Sequence, residues 1–105
     1  MKSKRLLYIA GKVTGEDIEL CKRKFLMAEM YATEHFKTDC FNPLYHVKQK
    51  WSWLRAMLFC VFHLLKDCNS IFMLQDWKSS RGAKIEHFFA KIFRMNIIYQ
   101  KIKKH

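Results

Sequence analysis

The sequence predicts an α/β domain, a three-layer sandwich of helices around a mainly parallel sheet of four to five strands. Three observations carry that expectation. Four short apolar runs alternate with longer stretches of helical periodicity along the 105 residues. The runs are mostly continuous rather than alternating, as suits strands buried on both faces. The intervals between them are long enough for helical crossovers, which parallel neighbours require.

Residues 5–10 (RLLYIA) form the first run, closed by Gly11, and read as a strand buried on both faces. Residues 14–17 read as a helix start, with Thr14 as N-cap and acidic residues in the first turn. Ile18, Cys21, Phe25, Ala28 and Ala32 then recur three and four apart, marking the buried face, while residues 22–24 fall on the solvated side. Residues 39–42 are a brief strand ended by Pro43, which has no N–H to give a ladder. Residues 44–50 read as a loop. Residues 51–66 are helical and apolar on nearly every side, so burial all round is expected, part of it in a subunit contact. Residues 70–74 (SIFML) form the third strand, 79–90 the third helix and 96–100 (NIIYQ) the last strand. With no repeat and no linker, the order β-α-β-α-β-α-β is read as one domain over residues 1–105.

Half of the residues are apolar, enough for one core, and only three Gly and one Pro interrupt them. That balance excludes a collagen-like or disordered chain. The cysteines at 21, 40, 60 and 68 form no CxxC pair and are too sparse for a disulfide scaffold. They are expected to be reduced, in a cytoplasmic protein. The most apolar stretch, 54–65, carries Arg55 and His63 and falls short of the ~20 residues that span a bilayer, so no membrane partner is expected. Residues 6–10 are too short for a signal-peptide core. Twenty Lys and Arg against nine Asp and Glu give a formal charge of +11, a field that attracts anions. The charges are scattered over residues 2–5, 22–24, 48–50 and 101–104 rather than gathered in one block. Nucleic acid is therefore not the expected partner, and the tail at 101–105 reads as solvated.

Ligands of such sheets bind beyond the carboxyl ends of the strands, near the point where the strand order reverses. The loops after Ala10, Asn42 and Leu74 are therefore the ones that matter. The first, Gly11-Lys12-Val13-Thr14-Gly15, has two glycines ahead of a helix. They either admit an anion to backbone N–H groups or make a tight turn and cap. Their number and spacing fit neither a Walker A loop nor a dinucleotide fingerprint. The third runs from Gln75 to His87 and is polar, with Trp77, Ser79, Ser80 and Arg81 before a helix that carries Glu86 about one turn in. An acid there commonly favours a helix start. The dipole also holds it charged, as a nucleophile or electrostatic stabiliser requires. His87 is expected to point away from Glu86. The five histidines show no metal spacing with the cysteines, so neither a metal nor a cofactor is expected. Trp51 and Trp53 read first as core or interface packing.

The segments YIAGKVTG, FNP at 41–43 and DCNSIFMLQDWKSSRGAKIEHFFA at 67–90 resemble the nucleoside 2-deoxyribosyltransferase-like superfamily. More closely, they resemble its short domain-of-unknown-function branch found in bacteria and phages. The pattern there reads roughly YIAGPMTG, then NP, then D-C-D-A-I-x-L-L-P-G-W-x-x-S-x-G-A-x-x-E-H. The similarity covers nearly the whole chain and is weakest over 44–56. It implies a Rossmann-like (flavodoxin-like) subunit, a homodimer or larger, acting on the N-glycosidic bond of nucleosides or nucleoside 5′-monophosphates. In relatives the glutamate matching Glu86 attacks C1′ and the tyrosine matching Tyr8 orients it, chemistry shared with retaining glycosidases. Gly11 and Gly82 match positions where backbone passes close to the ligand. Asn42 falls in the matched NP and Trp77 matches a tryptophan beside the pocket. Ser80, six residues before Glu86, matches a serine of the 5′-monophosphate N-hydrolases, where free-nucleoside transferases tend to carry an aspartate. With Ser79 and Arg81 it implies a phosphate site, or else Ser80 simply caps the helix.

Two departures from that pattern matter, beside Asp76, which replaces a glycine. Lys12 replaces a proline. Arg55-Ala56-Met57 stands where relatives carry R-x-D, an aspartate that assists the departing base. A thioether cannot relay a proton, which leaves Asp67 and Asp76 as the acids available to compensate. It also raises the alternative of a nucleotide-binding protein with impaired turnover.

Overall fold

The computed structural model describes residues 6–48 and 50–101. Arg5 of the first predicted strand, the basic cluster at 2–5, Gln49 and the tail at 102–105 lie outside the described residues. The elements are β1 (Leu6–Ala10), α1 (Ile18–Phe36), β2 (Cys40–Phe41), α2 (Trp53–Asp67), β3 (Cys68–Met73), α3 (Arg81–Ile92) and β4 (Asn96–Tyr99), with 3-10 turns at Pro43–Tyr45 and Trp77–Ser79. All four strands pair in parallel, in the order β2-β1-β3-β4. This is an α/β, Rossmann-like fold with the flavodoxin-like strand order. The chain moves outward from β1 to β2, then crosses to β3 on the other side, so the switch point lies between β1 and β3.

The period of two along β1 sorts its side chains into two layers. Leu7 and Ile9, with Phe72 and Leu74, pack against Cys21, Phe25, Ala28 and Ala32 of α1. Those four are the buried residues of α1, as the periodicity predicts. Tyr8 and Ala10, with Ile71 and Met73, face Cys60 and Leu64 of α2 and Ala83 and Ala90 of α3.

The structure moves several boundaries. Asp17, not Thr14, caps α1: its Oδ2 accepts from the Leu20 N–H at 3.1 Å. Gly15, at a φ of +84°, turns the chain between Thr14 and the helix, so a helix cannot run on from Thr14. Ser52 caps α2, its Oγ accepting from the Arg55 N–H at 3.1 Å. Ser80 caps α3 in the same way toward Ala83. α2 is not buried all round. It buries Cys60 and Leu64 and leaves Leu54, Leu58 and Phe62 more than half exposed. The reason is geometric: a helix laid on one face of a sheet beside another helix meets protein along one stripe only. The four cysteines are free, and among the described residues no helix is long and apolar enough to cross a membrane.

Candidate functional site

A cavity of about 120 Å³ opens at the carboxyl end of β1 and is closed by the loops after β1 and β2 and by the first turns of α2 and α3. Tyr8, the third residue of β1, points into the α2–α3 layer and is wholly buried. Its O–H donates to Oε2 of Glu86 at 2.5 Å. Glu86 comes from the second turn of α3 and is 6% exposed. Phe41 of β2 stacks on the Tyr8 ring, centroids 5.5 Å apart and planes within 10°. The Cys60 thiol of α2 lies beside the phenol. Three elements therefore fix one hydroxyl, and the hydroxyl fixes one oxygen of the carboxyl.

The electrostatics differ from the sequence expectation. Burial pushes the Glu86 carboxyl up to about 8, with the Tyr8 hydrogen bond pulling partly back. It is therefore neutral at pH 7, not held charged by the helix dipole. The dipole acts mainly over the first turn, whereas Glu86 sits in the second and away from water. Burial, and then the adjacent Glu86, carries Tyr8 well above its ordinary range. Burial first and Glu86 second carry Cys60 up to about 12. Of these three groups only Glu86 changes its charge near physiological pH.

Ser80 and both candidate glycines line the same cavity. The Ser80 Oγ accepts from the Ala83 N–H at 3.1 Å, so it caps α3 and keeps its own hydrogen for another acceptor. A Cβ on Gly82 would lie 3.0 Å from the Met57 Sδ, and one on Gly11 would lie 2.7 Å from Leu74 Cδ1. The first glycine lets α3 start against α2, and the second lets the end of β1 close on β3.

Asn42, Trp77, Ser79 and Arg81 do not line the cavity. Asn42 is buried but works within its loop: Oδ1 accepts from the Leu44 N–H at 3.0 Å, and Nδ2 donates to Glu29 Oε1 at 3.2 Å. Trp77 stacks on His87 at 4.3 Å, and His87 in turn meets the Tyr99 hydroxyl at 2.7 Å. Ser79 donates to the Asp76 carbonyl at 2.9 Å. The Arg81 guanidinium lies 4.6 Å from the ring centroid of Trp53, so it reaches the cavity only through that ring.

Phe41 and Cys60 are site residues that sequence reasoning missed, and Trp53 is one that it read as packing before base stacking. Trp53, Ala56, Met57 and Cys60 follow the i, i+3, i+4, i+7 spacing of one helix face. That spacing was the available signal for Trp53 and Cys60.

The other acids considered lie elsewhere. Asp67 meets Nδ1 of His63 at 2.7 Å at the far end of α2. Asp76 accepts from the Lys12 N–H at 3.0 Å and pairs with Lys24 Nζ at 2.6 Å. Glu86 is the one carboxyl among the residues that line the cavity. Lys12 and Asp76, both departures from the pattern the chain resembles, thus meet in space. A proline at 12 would have no N–H for that carboxylate. Among the described residues no group of three or more His, Cys, Asp or Glu side chains is placed to hold a metal ion.

No curated protein and no solved structure matches the chain. A family model does, the Domain of unknown function (DUF4406), over residues 5–99. Because that match takes in every strand and helix described above, the chain belongs to the DUF4406 family.

Proposed function

We propose that the protein cleaves, or transfers at, the N-glycosidic bond of (deoxy)nucleoside 5′-monophosphates, with Glu86 as nucleophile and Tyr8 as its orienting partner. The observation that carries this reading is the Tyr8–Glu86 hydrogen bond inside a cavity at the β1–β3 switch point. The chemistry needs a carboxylate beside an oxocarbenium-like carbon in a site that excludes water. An oxygen of the Glu86 carboxylate bonds to C1′ as the C1′–N bond breaks and the base takes the electron pair. Water, or a second base, then attacks C1′ and frees the carboxylate. The resemblance of YIAGKVTG and of residues 67–90 to the deoxyribosyltransferase-like pattern supports the same roles. The Ser80 hydroxyl at the start of α3 and the +11 charge favour a phosphorylated ligand over a neutral one.

A free-base release assay on nucleosides and 5′-monophosphates, run beside Glu86→Gln, tests this. Release that disappears in the variant supports it, and release that survives overturns it. A second reading, nucleotide binding with impaired turnover, is favoured by one observation: Met57, not an acid, faces the cavity from α2. It requires a ligand that raises the melting temperature of wild type and Glu86→Gln alike, with no base released from either. A second copy of the chain is the partner we assign to the exposed stripe Leu54, Leu58 and Phe62. Sedimentation velocity beside Leu58→Glu tests it, a dimer in wild type that dissociates in the variant supporting the assignment. The cytoplasm is the compartment in this reading, supported by four free cysteines.

A further inference from the structure

A departing nucleobase is a poor leaving group until it is protonated, and a positioned acid contributes about 10²–10⁴ to such a step. The wall that faces Glu86 from α2 and from the loop after β2 holds Leu44, Val47, Trp53, Ala56 and Met57, and none of these can give up a proton near neutral pH. Tyr8 has already committed its proton to Glu86. Asp67 and Asp76 are engaged outside the cavity. Glu86 cannot serve as ionised nucleophile and as acid in the same step.

Resting on the reading above, we propose that this pocket acts on glycosides whose base departs without accepting a proton, above all nucleotides whose base is already cationic through N-alkylation. As the Glu86 oxygen bonds to C1′, the C1′–N bond breaks and its electron pair neutralises the ring cation, so the base leaves as a neutral molecule. Water attacks C1′ in the second step, its proton goes to solvent, and the carboxylate is restored. The wall suits such a ligand. Trp53 offers an indole that a planar cation can stack on, and Met57 offers a polarisable thioether.

Binding then has a signature of its own. A cation placed beside a neutral buried carboxyl favours the ionised form. The ionisable groups facing Glu86 are Tyr8 from β1 and Cys60 from α2, and both hold their protons far above neutrality. The proton expelled on binding is therefore that of Glu86. Arg81, stacked on Trp53, is a cation beside that ring, so Arg81→Gln is expected to raise the affinity for a cationic base relative to a neutral one on the same 5′-phosphate.

The test compares 7-methylguanosine 5′-monophosphate and nicotinamide mononucleotide with guanosine and adenosine 5′-monophosphates. Each rate is divided by that compound's uncatalysed rate, and proton release on binding is measured calorimetrically in two buffers. The expected result is an enhancement at least about a hundredfold larger for the cationic pair, lost in Glu86→Gln. About one proton should be released per cationic ligand by wild type and none by that variant. Met57→Glu, similar in length, is expected to raise turnover of the neutral pair. If that variant does not fold, the wild-type panel decides alone. Equal, Glu86-dependent enhancement of all four compounds overturns this inference and leaves the proposed function standing. No cleavage of the four overturns this inference, and no cleavage of the 2′-deoxy and pyrimidine 5′-monophosphates either overturns the proposed function with it.

Discussion

β1 serves two different neighbourhoods. Toward α1, Leu7 enters an apolar cluster with Phe72, Ala28 and Ala32, none of which lines the cavity. Toward α2 and α3, one residue along, Tyr8 shares its layer with buried Ser80, buried Glu86 and a cavity. The contrast shows how a small domain carries a destabilising site. One face of the strand is packed for stability, and that stability lets the other face keep a proton on a buried acid and leave space unfilled.

The sharpest way to break the comparison is to cut into each face. Phe72→Ala removes a wholly buried ring from that cluster, away from the cavity, and is expected to cost about 3–5 kcal/mol. Met57→Ala, beside a cavity that already exists, is expected to cost clearly less, because little new void is created. Urea unfolding of both variants decides it, and equal losses would mean that the two faces are packed alike.

Next in size is the pH dependence of the site face. The Glu86 carboxyl is raised from its ordinary 4.5 to about 8, so between those values the folded protein binds a proton that the unfolded chain has lost. Stability therefore falls as pH rises across that window, by up to about 1.4 kcal/mol per pH unit, and levels off above it. Melting temperatures from pH 5 to 9 should show the fall in wild type and a flatter line in Glu86→Gln. The α1 face has no counterpart in that window: a Phe72 variant should keep the wild-type slope. Under the proposed function, base release should run the other way, rising with pH toward 8 as Glu86 ionises.

What could be read from residues alone follows the same division. On the α1 side the periodicity of Ile18, Cys21, Phe25, Ala28 and Ala32 suffices, because apolar spacing is a local property that burial then obeys. The parallel order was equally legible from continuous runs and long connections. The charge state of Glu86 was not, since it depends on how completely β1, α2 and α3 close around it. Nor was the split among neighbours in the loop before α3. Ser80 and Gly82 line the cavity while Ser79 and Arg81 do not, because a 3-10 turn followed by a helix aims consecutive side chains in different directions. The outer stripe of α2 was legible only as apolar, for a related reason: composition does not say which apolar residues are buried within the chain and which are left on its surface.

Ser80 offers a smaller and more local comparison. Its hydroxyl both caps α3 and lines the cavity. Ser80→Ala is expected to cost about 1 kcal/mol of stability and, in addition, to weaken binding of 5′-monophosphates relative to nucleosides. Asp17→Ala removes the equivalent cap from α1 and should cost a similar amount with no change in that ratio. A monophosphate preference that survives Ser80→Ala would remove the hydroxyl from the ligand site and leave it a cap alone.

The smallest effect belongs to the rim where the two faces meet. Asp76 accepts from the Lys12 N–H and from Lys24 Nζ, and Lys24 Nζ also donates to the Lys12 carbonyl at 2.8 Å. The loop after β1 is thus tied to the loop after β3 and to α1. The pair is about 30% exposed (29% and 31%), so solvent screening limits its worth to about 1 kcal/mol or less. Asp76→Asn is therefore expected to change the melting temperature little but to speed hydrogen exchange at the Lys12 amide, because a neutral amide oxygen accepts more weakly than a carboxylate. The more exposed Lys22–Glu19 pair, at 3.9 Å and more than half exposed on both sides, should show neither change in Glu19→Gln. If Asp76→Asn also alters the rate of base release at saturating substrate, the tie holds the loop after β1 in the shape that turnover needs. If it alters only exchange, the loop after β1 keeps its form through Gly11 closing on Leu74, and the packed face governs the rim as well.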